Sequence, residues 1–500
     1  MVWILYWIKS SLLPKNNRRT KRDIMNNSFD DKMHEECGVF GIYGHDDAST
    51  LTALGLHALQ HRGQESSGIA SYDDAKDGGQ FFVHRGLGLV DDIFNDVSII
   101  ARLKGRSAIG HNRYATTGAT LLRNVQPLYA ELVFGGFAVA HNGNLTNAVK
   151  IRNELTQHGA IFQCTSDTEV IIHLVALSKK ATVLDRLVDA LQQVEGAYSL
   201  ICFAEGRMIG VRDPNGFRPL VLGRLGDAYI LASETCALDI IGADFVRDVE
   251  PGEMVVISSQ GIQSHRPFAA AASRFCIFEY IYFARPDSII DGKSVYEMRK
   301  KIGAVLAEES PCDVDLVVPV PDSGVPAAIG FAQVSGLPFE LGIIRNHYVG
   351  RTFIEPTQKI RHLGVKRKHN GNRGVVEGKK IVLVDDSIVR GTTSRKIVEM
   401  MRQAGATEVH MRISSPPITH GCFYGIDTPS RDELLASKSS VQEIADFIKV
   451  DSLAFISDDG LYRAMGEAKR NTAAPQYCDA CFTGDYPVEL RDQIMLKKAC

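Results

Sequence analysis

The chain has 500 residues, and because ordinary domains run to about 150 residues it is long enough for two or three of them. Its 56 Lys and Arg against 59 Asp and Glu leave a net charge of −3, which disfavours a dedicated nucleic-acid-binding protein. An apolar fraction of 45% excludes a wholly disordered chain, no run approaches the roughly 18 apolar residues of a membrane-spanning helix, and ten cysteines are typical of a reduced cytoplasmic enzyme.

The first 36 residues differ in character from the rest of the chain. An apolar run, Val2–Ile8, is followed by a basic, Asn-rich stretch, with neither the basic start nor the cleavage site of a signal peptide. We expect residues 1–36 to be a disordered extension or propeptide, and a translation start at Met25 would leave residues 25–36 ahead of Cys37. Patterned sequence begins at Cys37.

Residues 37–265 alternate short apolar runs with Gly, Asn and Asp breaks, which predicts strands and turns. Helical periodicity over Asp167–Leu177 and Val183–Val194 interrupts them. The region is therefore predicted to be α+β with much antiparallel sheet. Its predicted strands are GVFGIYG (38–44), QFFVHRG (80–86), SAIGHNRYA (107–115), FGGFAVAHNG (134–143), AYSLICF (197–203), DAYILAS (227–233) and GEMVVIS (252–258).

Residues 266–430 follow a different pattern. The near-continuous apolar runs LVVPVP (316–321), KIVLVDD (380–386) and TEVHMRIS (407–414) alternate with helical stretches, which predicts an α/β region with a buried parallel sheet. Within it, residues 345–380 carry ten Lys or Arg against two Glu, a local excess of +8. The remaining residues, 431–500, are predicted to form a helical, polar tail.

The segment IVLVDDSIVRGTTS (381–394) carries the clearest chemistry of the second region. Two acids end an apolar strand, and a loop with glycine and hydroxyl side chains leads into a helix. Loop N–H groups at a helix start bind anions, and carboxylates at a strand end hold ribose hydroxyls or Mg²⁺. The alternative interpretation is a strand end with solvated acids and a polar turn. The candidate residues are Asp385, Asp386, Ser387, Arg390, Gly391, Thr392 and Thr393.

This segment resembles the phosphoribosylpyrophosphate (PRPP) motif of type I phosphoribosyltransferases. A second strand end, PVPDSG (319–324), lies where that family has its pyrophosphate loop. The resemblance implies that Ser323, Asp385 and Asp386 contact Mg²⁺–PRPP. It also implies that Arg345 and Lys366 of the basic stretch contact the pyrophosphate; the alternative is a solvated flexible loop.

Five motifs of the first region carry polar residues in a characteristic order. They are the Cys37-Gly start, HRGQESSGIA (61–70), HNRYATTG (111–118), HNGNLTN (141–147) and SDTEVI (166–171). Each alone is typical of an ordinary turn, but together they resemble the class II glutamine amidotransferases, which are N-terminal-nucleophile hydrolases with antiparallel sheets stacked between helices.

The resemblance implies a role for each matched residue. Cys37 would be the nucleophile, with its own α-amine as base once the preceding residues are removed. Asn142 and Gly143 would stabilise the oxyanion, Arg113 would bind the glutamine carboxylate, and Asp167 its ammonium group.

Four cysteines lie in distinctive contexts: Cys478 and Cys481 form a C-x-x-C pair, and Cys276 and Cys422 complete a set of four. By count alone, four thiolates hold zinc or an iron–sulfur cluster equally well. One branch of the PRPP amidotransferases carries a [4Fe–4S] cluster, and the resemblance of these contexts to that branch favours the cluster.

Both halves together resemble the family of glutamine PRPP amidotransferases over about residues 37–490. The resemblance implies a pentosyltransferase of purine biosynthesis that hydrolyses glutamine and passes the ammonia to Mg²⁺–PRPP. It also implies a homotetramer inhibited by purine nucleotides. A glucosamine-6-phosphate synthase would share only the first half, and a non-catalytic regulator would bind nucleotides or a protein partner through the second.

Overall fold

The computed structural model describes residues 34–35, 37–75, 79–114, 121–346 and 369–494. Residues 37–265 form two antiparallel sheets, whose central strands, such as Cys37–Tyr43 and Gly196–Ala204, are buried on both faces. The seven-stranded sheet has the order Asp244–Asp248, Val221–Leu225, Ala228–Ala232, Cys37–Tyr43, Ser107–Arg113, Ser66–Asp73 and Gln80–Leu87. The six-stranded sheet has the order Gly261–His265, Met254–Ser258, Arg207–Arg212, Gly196–Ala204, Gly135–Leu145 and Leu128–Leu132.

The two sheets pack face to face and are covered by helices on both outer sides. Between them lie Val39 and Ile109 of the first sheet against Ile201 and Phe203 of the second. Separate clusters join helices to the outer face of each sheet, giving four layers. The helices are Ala48–Ala58, Val90–Phe94, Val97–Arg102, Ala148–Gln157, Glu169–Leu177, Val183–Leu191 and Cys236–Asp239, with a 3₁₀ turn at Leu122–Asn124.

The second half is built around a four-stranded, fully parallel sheet. Its strands, in spatial order, are Leu316–Pro319, Lys380–Asp385, Glu408–Ile413 and Ser452–Phe455. All four carboxyl ends therefore lie at one edge, where ligands of open α/β sheets bind. The fourth strand comes from the segment that the sequence predicted as helical tail, and the division of the chain at residues 265 and 430 stays a prediction.

Helices and short ladders complete this half. The helix Val325–Ser335 has Pro326 at its start and ends at Gly336, whose φ of 71° favours glycine. The helices are Val295–Glu309, Val325–Ser335, Arg373–Val376, Thr392–Gln403, Val441–Ile448, Asp458–Ala464 and Ala480–Thr483, with a π-type turn at Glu279–Phe283 and 3₁₀ turns at Arg431–Glu433 and Leu435–Ser437. The two-stranded ladders are His34–Glu35 with Ile426–Asp427, Phe275–Cys276 with Tyr477–Cys478, Ile289–Ile290 with Lys293–Ser294, and Ile343–Arg345 with His369–Gly371.

The predicted architecture, stacked antiparallel sheets between helices followed by a parallel α/β sheet, is confirmed. In the described part of the chain, no helix is both long and apolar enough to cross a membrane.

Candidate active sites

Cys37 is the first residue of a central strand in the seven-stranded sheet. It pairs with Arg113 of the neighbouring antiparallel strand, and Ser66 pairs with Arg113 from the other side. Side chains of directly paired residues lie on the same face, about 5 Å apart. Both Cys37 and Arg113 are buried, with 7% and 5% of their surface exposed. The register therefore places the Cys37 and Arg113 side chains next to each other on one face of the sheet.

Asn142 and Gly143 lie near the end of the strand Gly135–Leu145 in the other sheet. The φ of Gly143 is 144°, and a Cβ there would come within 2.1 Å of the carbonyl oxygen of Ala197, so only glycine fits. The Asn142 amide donates to the Ser233 hydroxyl at 3.5 Å, and the same hydroxyl accepts from the Val39 N–H at 2.9 Å. Ser233 thus joins the Asn142 strand to the strand that begins with Cys37.

Asp167 is held by backbone N–H groups on both of its oxygens. Its Oδ2 accepts from Leu145 N at 2.9 Å, and its Oδ1 accepts from Thr168 N at 2.8 Å. The buried His141 lies 3.9 Å from Oδ2, and its Nε2 donates to the carbonyl oxygen of Ala197 at 3.2 Å. Leu145 is two positions after Gly143 on the same strand, so its contact places Asp167 next to the end of that strand. The predicted residues Asn142, Gly143 and Asp167 therefore lie close together.

Asp385 and Asp386 lie at the carboxyl end of the second parallel strand, with 2% and 1% of their surface exposed. The Ser323 hydroxyl, at the end of the adjacent strand, donates to Asp386 Oδ1 at 2.5 Å, and Ser387 donates to Asp386 Oδ2 at 2.5 Å. A Cβ on Gly324 would lie 2.4 Å from the Val384 carbonyl oxygen, so the two strand ends approach very closely. The predicted Mg²⁺–PRPP residues therefore form one cluster of oxygen ligands.

The loop after these acids turns directly into the helix Thr392–Gln403. Gly391 precedes it with a φ of 74°, a conformation that favours glycine. Thr392 and Thr393 are consequently in the first turn, where N–H groups without intrahelical partners bind anions. Arg390 pairs instead with Glu433, at 2.9 and 3.1 Å from one carboxylate oxygen.

Of the basic stretch, Arg345 ends the strand Ile343–Arg345 and pairs with Asp322 of the PVPDSG loop. This places its guanidinium beside the second predicted phosphate loop. Lys366, the other predicted pyrophosphate contact, lies outside the described residues.

The four predicted cluster cysteines come together from three distant segments. Cys276 and Cys478 are partners in a short parallel ladder, and Cys481 follows within one turn. Burial first, and then the neighbouring charges of Cys276 and Cys422, raise the pKa of the Cys481 thiol well above its ordinary value. Throughout the ranges that the structure describes, no group of three or more His, Cys, Asp or Glu side chains is arranged to hold a single metal ion.

Several residues that hold the glutamine site were not predicted from the sequence. In the sequence, Ser233 looks like an ordinary strand-end serine, and Arg62 is one residue of the motif HRGQESSGIA (61–70) with no role of its own. Their roles depend on contacts with residues far along the chain, such as the 3.4 Å contact between Arg62 Nε and the carbonyl oxygen of Cys37. No local pattern reports such contacts.

A buried cysteine at the head of a strand between stacked sheets, joined to a strand–Asp-Asp–loop–helix cradle, defines an N-terminal-nucleophile glutamine amidotransferase fused to a phosphoribosyltransferase. A glutamine amidotransferase domain model matches residues 111–239, and a phosphoribosyl transferase domain model matches residues 292–414.

Curated relatives match almost the whole chain. The amidophosphoribosyltransferase of Rhizobium etli is 57% identical over 93% of this chain and 94% of its own length, and that of Bacillus subtilis is 51% identical over 93% and 96%. The chain belongs to the amidophosphoribosyltransferase family. It is accordingly an enzyme, a glutamine-dependent PRPP amidotransferase of purine biosynthesis.

Two solved structures agree with this assignment over nearly their full length. One, described as the allosteric regulatory enzyme of purine biosynthesis, superposes with a TM-score of 0.86 at 51% identity, covering 91% of this chain and 97% of that chain. The other is glutamine PRPP amidotransferase from B. subtilis complexed with ADP and GMP, with a TM-score of 0.85 at 50% identity, covering 91% and 98%.

Proposed function

We propose that Cys37 attacks the carboxamide carbon of glutamine, forming a glutamyl thioester and releasing ammonia, and that water then releases glutamate. Arg113 binds the substrate carboxylate, since a planar guanidinium matches two carboxylate oxygens. Asp167 binds the ammonium group. The cross-strand pairing of Cys37 with Arg113 carries this assignment, because it sets nucleophile and carboxylate anchor at a fixed spacing.

The oxyanion that forms on the thioester pathway needs donors fixed before reaction. The Asn142 side chain and the Gly143 N–H supply them in our proposal. The positive φ of Gly143 and its tight contact with Ala197 support this, since both hold the strand end in one conformation.

Removal of the residues ahead of Cys37 is a necessary part of the proposal. An amide nitrogen is not a base. A free α-amine, in contrast, has an ordinary pKa of about 8 and can accept the thiol proton near neutral pH. The residues His34–Glu35 pair with Ile426–Asp427, so cleavage between Glu36 and Cys37 would also release a ladder beside the glutamine site.

The second centre binds PRPP at the edge of the parallel sheet. Asp385 and Asp386 hold the ribose hydroxyls, and the loop formed by Ser387, Arg390, Gly391, Thr392 and Thr393 binds the 5-phosphate. Arg345 and Lys366 contact the pyrophosphate. The conformation of Gly391, whose φ of 74° turns the loop into the helix Thr392–Gln403, supports this assignment.

The same cluster fits Mg²⁺, which prefers oxygen ligands and is usually held by one or two carboxylates together with substrate phosphates. Asp385, Asp386 and the Ser323 hydroxyl are the protein groups that would hold it. When bound, it offsets the negative charge of the departing pyrophosphate. Ammonia from the first centre attacks C1 of PRPP, the C1–O bond to pyrophosphate breaks, and 5-phosphoribosylamine forms after loss of a proton.

We also propose a [4Fe–4S] cluster at Cys276, Cys422, Cys478 and Cys481, because their sequence contexts resemble those of the cluster-bearing branch of the family. By count alone, four thiolates hold zinc or such a cluster equally well. The pairing of Cys276 with Cys478 and the interacting charges of the four thiols bring the candidate ligands together. The role of the cluster in this proposal is structural, tying the C-terminal segment to residue 276.

Regulation and assembly are also proposals. The B. subtilis relative has been solved with ADP and GMP, which supports inhibition of this chain by purine nucleotides. We further propose a homotetramer, by resemblance to the family, and a cytoplasmic location, which agrees with the reduced thiols that the cluster needs.

A pyrophosphate-release assay with glutamine or with ammonium salt tests the division of labour. Cys37→Ala is expected to abolish glutamine-driven turnover and to leave ammonia-driven turnover within about twofold of wild type. Cys312→Ala, which removes a half-buried thiol elsewhere, is the matched control and should retain both. Loss of both activities in Cys37→Ala alone would contradict the two-centre assignment.

A further inference from the structure

Four charged side chains with 0–1% of their surface exposed lie between the two halves, and we call Arg62, Arg218, Glu234 and Glu279 the ion quartet. Arg62 donates to Glu234 at 2.5 Å and to Glu279 at 2.7 Å. Arg218 donates to the same Glu279 oxygen at 2.8 Å. The quartet is neutral in sum, and Glu279 is shared by both guanidinium groups.

The quartet also holds two backbone carbonyl groups at the glutamine site. Arg62 Nε lies 3.4 Å from the carbonyl oxygen of Cys37, and Arg218 Nη2 donates to that of Gly425 at 2.5 Å. Gly425 abuts the oxyanion residue, since a Cβ on it would lie 3.0 Å from the Cα of Gly143. The Glu279 carboxylate thus orients both arginines. Arg62 contacts the backbone of Cys37, and Arg218 contacts the backbone of Gly425, which lies against Gly143.

Glu279 belongs to a segment that the second half anchors. The buried Arg299, on the helix Val295–Glu309, donates to the carbonyl oxygens of Tyr280 and Ala284 at 2.9 and 2.7 Å. Burial lowers the pKa of Arg299 to about 10, while nearby Asp386 is the foremost of the charges that oppose this shift. The π-type turn carrying Glu279 is therefore tied to the side of the molecule that holds the PRPP acids.

Glu234 completes the quartet from the first half. It accepts from His61 at 2.6 Å, from the Ser288 hydroxyl at 2.6 Å and from Arg285 N at 2.9 Å. Burial acts to raise its pKa, but the charges of His61 and Arg62 outweigh burial and hold the pKa well below its ordinary range. Glu234 therefore stays ionised near neutral pH.

We propose that Glu279 is a positioning residue for glutamine hydrolysis: through Arg62 and Arg218 it fixes the backbone of Cys37 against that of Gly425 and Gly143. This inference rests on the proposed function. A buried carboxylate shared by two arginines holds both in one geometry, because any displacement would leave a charge without its partner in a medium of low polarity. Small displacements of a nucleophile are costly in rate.

The test is Glu279→Gln, which keeps the shape and removes the charge. Glutamine-driven turnover should fall about 10- to 100-fold, chiefly in kcat, because the nucleophile and oxyanion donors lose alignment while the substrate anchors Arg113 and Asp167 remain. Ammonia-driven turnover should stay within about twofold of wild type, since the Glu279 carboxylate pairs with Arg62 and Arg218 of the first half.

Glu253→Gln is the matched control. Glu253 is also buried and pairs through both oxygens with Arg247 at 2.7 and 2.8 Å, just ahead of the strand Met254–Ser258. It should lower thermal stability comparably and leave the ratio of glutamine-driven to ammonia-driven turnover unchanged. A parallel fall of both activities in Glu279→Gln, or an unchanged ratio, would overturn the inference.

Arg218→Lys provides a second test of the inference if the Glu279→Gln variant does not fold. Arg218→Lys retains the charge but cannot reach Glu279 and Gly425 together, so it should lower the same ratio about tenfold or more. An unchanged ratio in this variant overturns the inference. Absence of either activity from wild type would instead refute the proposed function, so the two failures are distinguishable.

Discussion

Cys37 and Arg113 face each other on paired strands inside a sheet, whereas Asp385 and Asp386 lie where a strand has just ended. In the first centre, the backbone ladder itself sets the spacing of the reacting groups. In the second, hydroxyl contacts and a loop leading into a helix place the groups that we propose to bind phosphate. The glutamine site should therefore be sensitive to backbone geometry, and the PRPP site to the charge of individual side chains.

The largest expected effect tests the charge-dependent centre. Replacing Asp385 and Asp386 together by Asn should lower both glutamine-driven and ammonia-driven turnover about 10³-fold, because no anion remains to hold the ribose hydroxyls and Mg²⁺. Pyrophosphate release measures both. Asp315→Asn, at the opposite end of the sheet, should change either by less than about twofold. Retained ammonia-driven turnover in the double variant would contradict the dependence of the PRPP site on these two charges.

Adding a methyl group at Gly143 tests whether the glutamine site depends on backbone geometry. Gly143→Ala should lower glutamine-driven turnover about 10²-fold, because a Cβ would collide with the Ala197 carbonyl oxygen and displace the oxyanion donor. Ammonia-driven turnover should persist. The control is Gly159→Ala, which also has a positive φ, of 89°, but open space around its Cβ position. Equal losses in both variants would show that backbone strain alone, rather than donor placement, is responsible.

The cysteine set lies in the second half of the chain and is expected to give a smaller, structural effect. Cys478→Ser should lower the iron bound per chain to near zero after anaerobic purification and reduce the melting temperature by a few degrees, because metal binding contributes to folding. Iron analysis and thermal unfolding check this. Cys312→Ser should retain its iron. Normal iron content in Cys478→Ser would refute the proposed ligand set.

The smallest effect concerns a buried histidine beneath the glutamine site. Burial lowers the pKa of His111 to about 3, from an ordinary value near 6.5. Between these values the unfolded chain binds a proton that the folded chain does not, so this contribution to stability is lost as the pH falls. From pH 7 to pH 5 the loss is about 2 kcal/mol.

Thermal unfolding at pH 7 and pH 5 checks that sign. His111→Gln should show a smaller drop than wild type, while His265→Gln, at an exposed position, should follow wild type. A variant of His111 with an unchanged pH dependence would mean that other groups dominate acid sensitivity.

Much of the fold follows from local sequence patterns, and the strands that these patterns do not predict have physical explanations. Two of the four parallel strands, Leu316–Pro319 and Lys380–Asp385, follow from uninterrupted apolar runs, because both of their faces are buried. The motif that contains Ser66–Ala70 is typical of a turn, since its Ser and Gly residues have little strand propensity. In the structure these residues are part of the strand Ser66–Asp73, because hydrogen bonds to the neighbouring strands Ser107–Arg113 and Gln80–Leu87 hold them extended. Ser452–Phe455 was assigned to a helical tail because its short run has no distinct period.

The predicted site residues show the same division. The strand–Asp-Asp–loop–helix segment is contiguous, so its residues could be named together, and the structure gathers them at one strand end. The supports of Cys37 could not be named, since Ser233 and Glu279 reach the site across 194 and 217 positions, through Val39 and Arg62 respectively.

The sequence by itself determined which residue types carry the chemistry: a cysteine heading a strand, an acidic pair before a phosphate loop, and four thiols. These follow from short-range pattern, because strand and helix periods and turn residues act over a few positions. Only the tertiary structure decided that Glu279 faces both Arg62 and Arg218, and that Gly425 abuts Gly143. Such contacts arise when separately folded segments bury their charged groups together, and burial between distant segments leaves no local trace in the chain.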